Sequence, residues 1–224
     1  MILILIVFSA CNNSKLSTEE IENNAERITE LLNEENIDVF RKWNFNYRGG
    51  EIWTKQIDDS VVFSAHYRKS EDTTRIYISK RYLKSKELNL KIAIDTADIG
   101  YSLLFTKNKN GKIRIEGNDK NGKDILIGEN LKSENIFGGI NPFSKLDSLS
   151  SLKDKLKVYS IEYKPWIGDF IHFYVTYQDV LYYIPDKSSL NPIYKEVWIE
   201  KFKKGKQIKA NWNLLHLDKP KDIG

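Results

Sequence analysis

Phe170-Ile171-His172-Phe173-Tyr174-Val175-Thr176-Tyr177, followed two residues later by Val180-Leu181-Tyr182-Tyr183-Ile184, is the densest β-forming stretch of the chain. Nearly every residue in it is aromatic or β-branched. Such side chains favour a pleated surface, and a run apolar on both faces requires cover on both. Farther on, Ile208, Ala210, Trp212 and Leu214 alternate with Gln207, Lys209, Asn211 and Asn213, the period of two expected of a half-buried strand. Tyr159–Tyr163 and Val197–Phe202 also read as strands. Residues 159–217 therefore predict the core of a sheet on which the rest of the chain packs.

Working outward, Asn110-Gly111 and Asn121-Gly122 fall between the apolar runs Tyr101–Thr106, Ile113–Ile115 and Ile125–Ile127. Asn-Gly suits type I′ turns, whose twist matches paired strands, so a three-stranded meander is predicted over 101–128. Upstream, Val39, Trp43, Phe45 and Tyr47 lead through Arg48-Gly49-Gly50 into Ile52-Trp53-Thr54, a hairpin pattern. Asp58-Asp59-Ser60 turns the chain into Val61–Tyr67, and Thr74–Leu83 and Leu88–Ile94 read as further strands.

Two helices are legible. Ser17 and Glu20 match a capping box, and Ile21, Ala25, Ile28 and Leu32 form one stripe, which predicts an amphipathic helix to about Asn33. Asn141-Pro142 opens a second helix over 142–156, with Phe143, Leu146, Leu149 and Leu156 facing inward. The fold class is α+β and mainly β: an antiparallel, twisted sheet with the N-terminal amphipathic helix packed on it. No fixed-period repeat and no long linker divides residues 17–224, which read as a single mainly-β domain.

The composition, 41% hydrophobic and 29% charged over 224 residues, is that of a globular chain able to bury a substantial core. The formal net charge is +4. The surplus lies in residues 151–224, and Lys201, Lys203, Lys204, Lys206 and Lys209 cluster around Gly205. That cluster is a candidate patch for an anionic partner such as phospholipid headgroups or an acidic glycan. Its alternative is a solvated hairpin tip whose charges protect a strand edge. No nucleic-acid partner is expected, because an exported protein seldom meets it and the patch lacks an ordered aromatic face.

Searches for catalytic motifs return little. Residues 117–124 outline a P-loop, yet Asp124 stands where a magnesium-binding Ser or Thr belongs and the segment reads as a hairpin. As a calcium loop the same stretch would place glycines at its first and twelfth ligand positions. His66, His172 and His216 show no metal-ligand spacing and read as strand residues, so no metal and no cofactor is predicted. His172 is the least ordinary, with Asp169 nearby in sequence; a glycosidase-type carboxylate pair would have to come from separate strands, and Glu162 and Asp169 are candidates for it no better than many others. No nucleophile motif accompanies them, and no catalytic residue is assigned. Trp43, Trp53, Trp166, Trp198 and Trp212 could face a sugar or peptide, but most fall in register with core positions.

The first residues carry the clearest biological signal. Ile2–Phe8 is a short apolar run followed by Ser9-Ala10-Cys11 and the polar Asn12-Asn13-Ser14. It is too short to cross a bilayer, which takes about 20 residues. It resembles the lipobox-type signal peptide of bacterial lipoproteins. The resemblance covers residues 1–11 and implies cleavage after Ala10, acyl chains such as palmitate on Cys11, and a lipidated tether over 11–16. An exported protein lipid-anchored to a bacterial membrane, periplasmic or surface-facing, is the localisation implied. Cys11 is the chain's single cysteine, so no internal disulfide supports the fold. The function expected is a non-enzymatic binding or interaction module of the cell envelope, engaging an envelope protein or glycan. The alternative is a hydrolase acting on an envelope polymer.

Overall fold

The computed structural model describes residues 16–32, 34–47, 50–57, 60–68 and 73–221. Cys11, the signal-like segment and the turn residues 48–49 and 58–59 lie outside the described residues. The first element is helix α1, Thr18–Leu31, which starts as the sequence predicts. The Ser17 hydroxyl accepts from the Glu20 amide at 3.2 Å, and the Glu20 carboxylate accepts from the Ser17 amide at 2.7 Å. A short α2, Glu34–Ile37, and a 3-10 turn, Asp38–Arg41, carry the chain to β1, Trp43–Tyr47. Val39 therefore belongs to the turn and not to the predicted strand.

Strands β2 (Glu51–Ile57), β3 (Ser60–Arg68) and β4 (Thr73–Ser79) follow, then a one-turn helix α3, Lys80–Leu83. The Ser79 hydroxyl caps α3, so the predicted strand over Thr74–Leu83 ends four residues early. Leu88–Ile94 is not a strand either. Asn89 has φ +42°, and Leu90 makes only an isolated bridge to Phe137. The carbonyls of Glu87, Leu88 and Asn89 accept from Ile140, Gly139 and Gly138. Leu90, Ile92 and Ile94 pack on the core from this irregular path.

The predicted meander is present as β5 (Ile99–Lys107), β6 (Ile113–Asp119) and β7 (Asp124–Leu131). Its turns differ from type I′. Only Gly111 (φ +74°) and Gly122 (φ +81°) take the left-handed conformation, while Asn110 and Asn121 do not. The Gly111 amide bonds the Asn108 carbonyl and the Gly122 amide bonds the Asp119 carbonyl. These are three-residue loops, a tight turn closed by a left-handed glycine.

Helix α4 (Ser133–Ile136) and helix α5 (Pro142–Leu156, capped by Asn141) return the chain to the sheet's middle. There β8 (Ser160–Tyr163), β9 (Ile171–Tyr174) and β10 (Asp179–Tyr183) form a second meander. Two expectations are then corrected. Val197–Phe202 lies within helix α6, Lys195–Lys204, because Trp198 and Phe202 sit one turn apart and both are buried. The alternation over 207–214 is a hairpin, β11 (Lys206–Lys209) and β12 (Trp212–His216), turning at Ala210-Asn211. A two-residue turn inverts the period of two, but the register shift between Gln207 and Lys209 restores it, so the alternation runs on and hides the turn.

All twelve described strands join one antiparallel sheet in the order β11-β12-β10-β9-β8-β1-β2-β3-β4-β5-β6-β7. One register row crosses ten of them: Leu214, Leu181, Phe173, Ile161, Phe45, Trp53, Ala65, Ile76, Phe105 and Ile115. Every member is buried, on the face shared with α1, α3 and α5. Lys55 on this face donates to the Tyr82 hydroxyl at 2.7 Å and to the Glu87 carboxylate, which ties the loop after β4 beneath the sheet.

The other face is divided. Over β9, β10 and β12 it is covered by α6, where Phe170, Tyr174, Val180, Tyr182 and Leu215 pack with Trp198 and Phe202. Over β1–β7 no described helix covers it. Among the described residues no helix is long and apolar enough to cross a membrane.

Candidate functional site

The uncovered face of β1–β7 has a chemistry of its own. Its central row runs Asn44, Thr54, Ser64, Tyr77, Leu104, Glu116 and Leu126, strand by strand. The row beside it includes Asn46, Ile52, His66, Arg75, Thr106 and Arg114. Alternation along each strand places these residues opposite the buried row, so polar and aromatic groups face solvent on a rigid scaffold. Tyr77 and Leu126 are exposed and flank a depression of about 510 Å³ with Arg114 and Glu116. A second depression of about 360 Å³ lies where β1 meets β8, lined by Asn44, Thr54, Gln56, Glu162, Lys164 and Trp166 among others.

Glu162 sits on the wall of this second groove. Lys164 approaches its carboxylate at 2.9 Å, Lys221 bonds its other oxygen, and the Tyr174 hydroxyl donates to it at 3.4 Å. Burial disfavours the charge on Glu162, but the Lys164 and Lys221 ammoniums outweigh it and hold the carboxyl below the usual range. Beside Glu162 in register stands His172, 2% exposed and beneath α6. Its ring contacts Tyr182 edge-on at 4.7 Å, with Trp198 at 5.9 Å, and neither nitrogen has a hydrogen-bond partner. Burial above all, with the Lys164 charge, pushes the imidazole down to about 3.

Asp169 does not join this pair. The Arg41 guanidinium takes it in a two-point clasp, Nε to Oδ1 at 3.0 Å and Nη2 to Oδ2 at 2.9 Å. The three residues nearest to a catalytic reading in the sequence thus divide between a buried neutral imidazole, a carboxylate neutralised by two lysines, and a structural ion pair.

One pairing is invisible in the sequence because it depends on strand register. His216 Nδ1 lies 2.7 Å from Asp179 Oδ1 across the β10–β12 ladder, on the wall of a cavity of about 870 Å³ at the start of α1. The Thr176 hydroxyl donates to Asp179 and accepts from the amides of Gln178 and Asp179. Its proton is directed at the carboxylate and away from the imidazole, so the trio clasps a hairpin end and lacks the nucleophile-to-base bond of acyl-transfer sites. Among the described residues no group of His, Cys, Asp or Glu is arranged to hold a metal ion.

The lysine cluster spans two elements instead of one hairpin tip. Lys201 lies 4.5 Å over the Trp198 ring, and Lys203 pairs with Glu200 at 2.5 Å. Lys206 pairs with Glu22 at 2.6 Å, and Lys209 donates to the Thr29 carbonyl at 3.4 Å. Lys204 borders the cavity at the start of α1. Lys201, Lys203 and Lys204 close the last turn of α6, where positive charge offsets the helix dipole. Gly205 follows because a β-carbon there would stand 2.1 Å from Asn213 Oδ1.

Of the five tryptophans, Trp43, Trp53, Trp198 and Trp212 are buried core residues, and Trp166 alone is open to solvent at 54%. No family model, no curated protein and no solved structure matches the chain.

Proposed function

We propose that this chain is a cell-envelope lipoprotein, exported and held to a bacterial membrane through acylated Cys11, and that it works as a non-enzymatic binding module. The anchor is supported by Ser9-Ala10-Cys11 behind a short apolar run and by the polar residues that separate Cys11 from the Ser17 cap of α1. More than one acyl chain gives stable attachment, whereas one chain binds a bilayer only marginally.

The single observation that carries the binding role is the β1–β7 face left uncovered in a sheet whose other surfaces are packed. An envelope protein or glycan engages it there. A hydrolase of envelope polymers is the competing function, and His216–Asp179 on the wall of the 870 Å³ cavity is where it would be seated. His216→Ala leaving every activity on envelope polymers unchanged agrees with the binding role.

The anchor is tested by Cys11→Ser in the native host. The variant is expected to move from the membrane to the soluble fraction and to lose incorporation of labelled fatty acid. Unchanged fractionation together with unchanged labelling overturns the anchor.

A further inference from the structure

We propose that the groove at the β1–β8 junction binds a neutral oligosaccharide, with the Trp166 indole as its stacking platform. This rests on the binding-module function above and names the ligand class for it.

The backbone that carries the platform is fixed in place. The Trp166 carbonyl accepts from Asn191 Nδ2 at 2.9 Å, the Ile167 amide bonds the Lys164 carbonyl at 3.1 Å, and the Asn191 amide bonds the Ile167 carbonyl at 2.8 Å. Gly168, at φ +155° and packed against Phe170 and Leu190, completes the turn. An indole presented on so constrained a backbone loses little entropy when it is covered. Its flat apolar face suits the C–H face of a pyranose ring.

The floor of the groove supplies the complementary chemistry. Asn44 and Asn46 project from β1, Thr54 and Gln56 from β2. Among the described residues the Thr54 and Gln56 side chains have no partner, and Asn44 uses only its Oδ1, toward the Tyr163 amide at 2.8 Å. Side-chain amides and hydroxyls both donate and accept, which matches sugar hydroxyls that do the same.

Charge and topology narrow the choice further. The charged residues lining the groove, Glu162 and Lys164, are paired at 2.9 Å, and Lys221 holds the other carboxylate oxygen of Glu162, so the charged groups there are engaged with one another and not aimed at a ligand. A peptide strand would need an open edge to pair with, but β1 is already flanked by β8 and β2. The volume, about 360 Å³, falls in the roughly 300–1,000 Å³ range of small-ligand clefts.

The test offers cellotriose, chitotriose and maltotriose in turn, at millimolar concentration, to the purified full chain carrying Cys11→Ser. Tryptophan fluorescence and saturation-transfer NMR are the readouts. Saturable binding of at least one trisaccharide is expected, weakened about tenfold or more by Trp166→Ala. Trp166→Phe is expected to restore part of the affinity and Gln56→Ala to reduce it several-fold. Far-UV circular dichroism of the variants should match the parent, because these side chains lie at the surface.

Absence of saturable binding to all three sugars overturns the site, as does binding indifferent to Trp166→Ala. Neither result bears on the anchor, which is read by fatty-acid labelling. Release of new reducing ends from a bound trisaccharide would overturn the non-enzymatic role and leave the sugar site standing.

Discussion

An imidazole with both nitrogens unbonded, 2% exposed and ringed by Phe170, Tyr174, Tyr182 and Trp198, is a costly thing to bury once it is charged. The His172 pKa falls to about 3 from the ordinary 6.5. Between those values the unfolded chain binds a proton that the folded chain refuses. The stabilising contribution is therefore complete above 6.5, declines as pH falls, and is gone once pH drops through the folded value. From pH 6.5 to 5, before most carboxylates titrate, this one group should cost the protein about 2 kcal/mol of stability. His172→Phe should remove that increment: if Phe fits equally, the two urea midpoints should coincide near pH 7 and the variant should be the more stable at pH 5, and if Phe fits less well the variant's deficit at pH 7 should shrink by the same amount at pH 5. Parallel pH profiles for the two would show that His172 is protonated at little cost. The sequence marked this histidine as unusual from its apolar neighbours; that it is sealed beneath a helix and not aimed into a cleft depends on α6, which sequence alternation had assigned to a strand.

Two loops of nearly the same wording, Asn108-Lys109-Asn110-Gly111-Lys112 and Asp119-Lys120-Asn121-Gly122-Lys123, set the register of the β5–β7 meander. In each, the first side chain accepts from two amides, those of Asn110 and Lys112 or of Asn121 and Lys123. Each glycine carries the positive φ. Gly111→Ala or Gly122→Ala should each cost about 1–2 kcal/mol, the penalty of a left-handed backbone with a β-carbon. Asn110→Ala and Asn121→Ala should be near neutral, because those residues keep negative φ. Chemical denaturation of the four variants decides it, and the reverse ranking would restore a type I′ turn. Asn-Gly placed both loops correctly in the sequence. Their type was hidden because it depends on the residue two positions earlier, whose side chain closes the turn. For α6 the opposite held: Glu196 early, lysines late, and Trp198 with Phe202 one turn apart were all legible as helix, but β-forming Val197, Trp198 and Ile199 drew the strand assignment.

Across the whole molecule, two meanders distant in sequence are joined by the β1–β8 pairing, where Phe45 lies opposite Ile161 and the Ser160 hydroxyl donates to the Phe45 carbonyl at 2.9 Å. One core cluster runs from Ala25 on α1 through both meanders to Leu214 on β12. With apolar contacts continuous across that seam, the halves should unfold together. A single urea transition, coincident by tryptophan fluorescence and far-UV circular dichroism, is expected. Phe45→Ala should shift both probes equally, by about 3–5 kcal/mol. Two separated transitions would show that the seam does not couple the halves. The sheet's outer edges are blunted in different ways: β7 by register shifts against β6, β11 by its shortness and its terminal lysines.

Local pattern alone determined that this is an antiparallel, mainly-β chain with a capped N-terminal helix and a second helix at 142–156, because capping, glycine turns and two-residue alternation act between near neighbours. The same local grammar carries the lipoprotein-like start. Tertiary structure decided which sheet face is covered, since that depends on where α5 and α6 land after long connections. It also decided that four tryptophans are core while Trp166 stands free beside Asn44, Thr54 and Gln56, and that Asp169 belongs to Arg41 instead of His172. Those are meetings of residues about a hundred positions apart, and only the register of a twelve-stranded sheet brings them together.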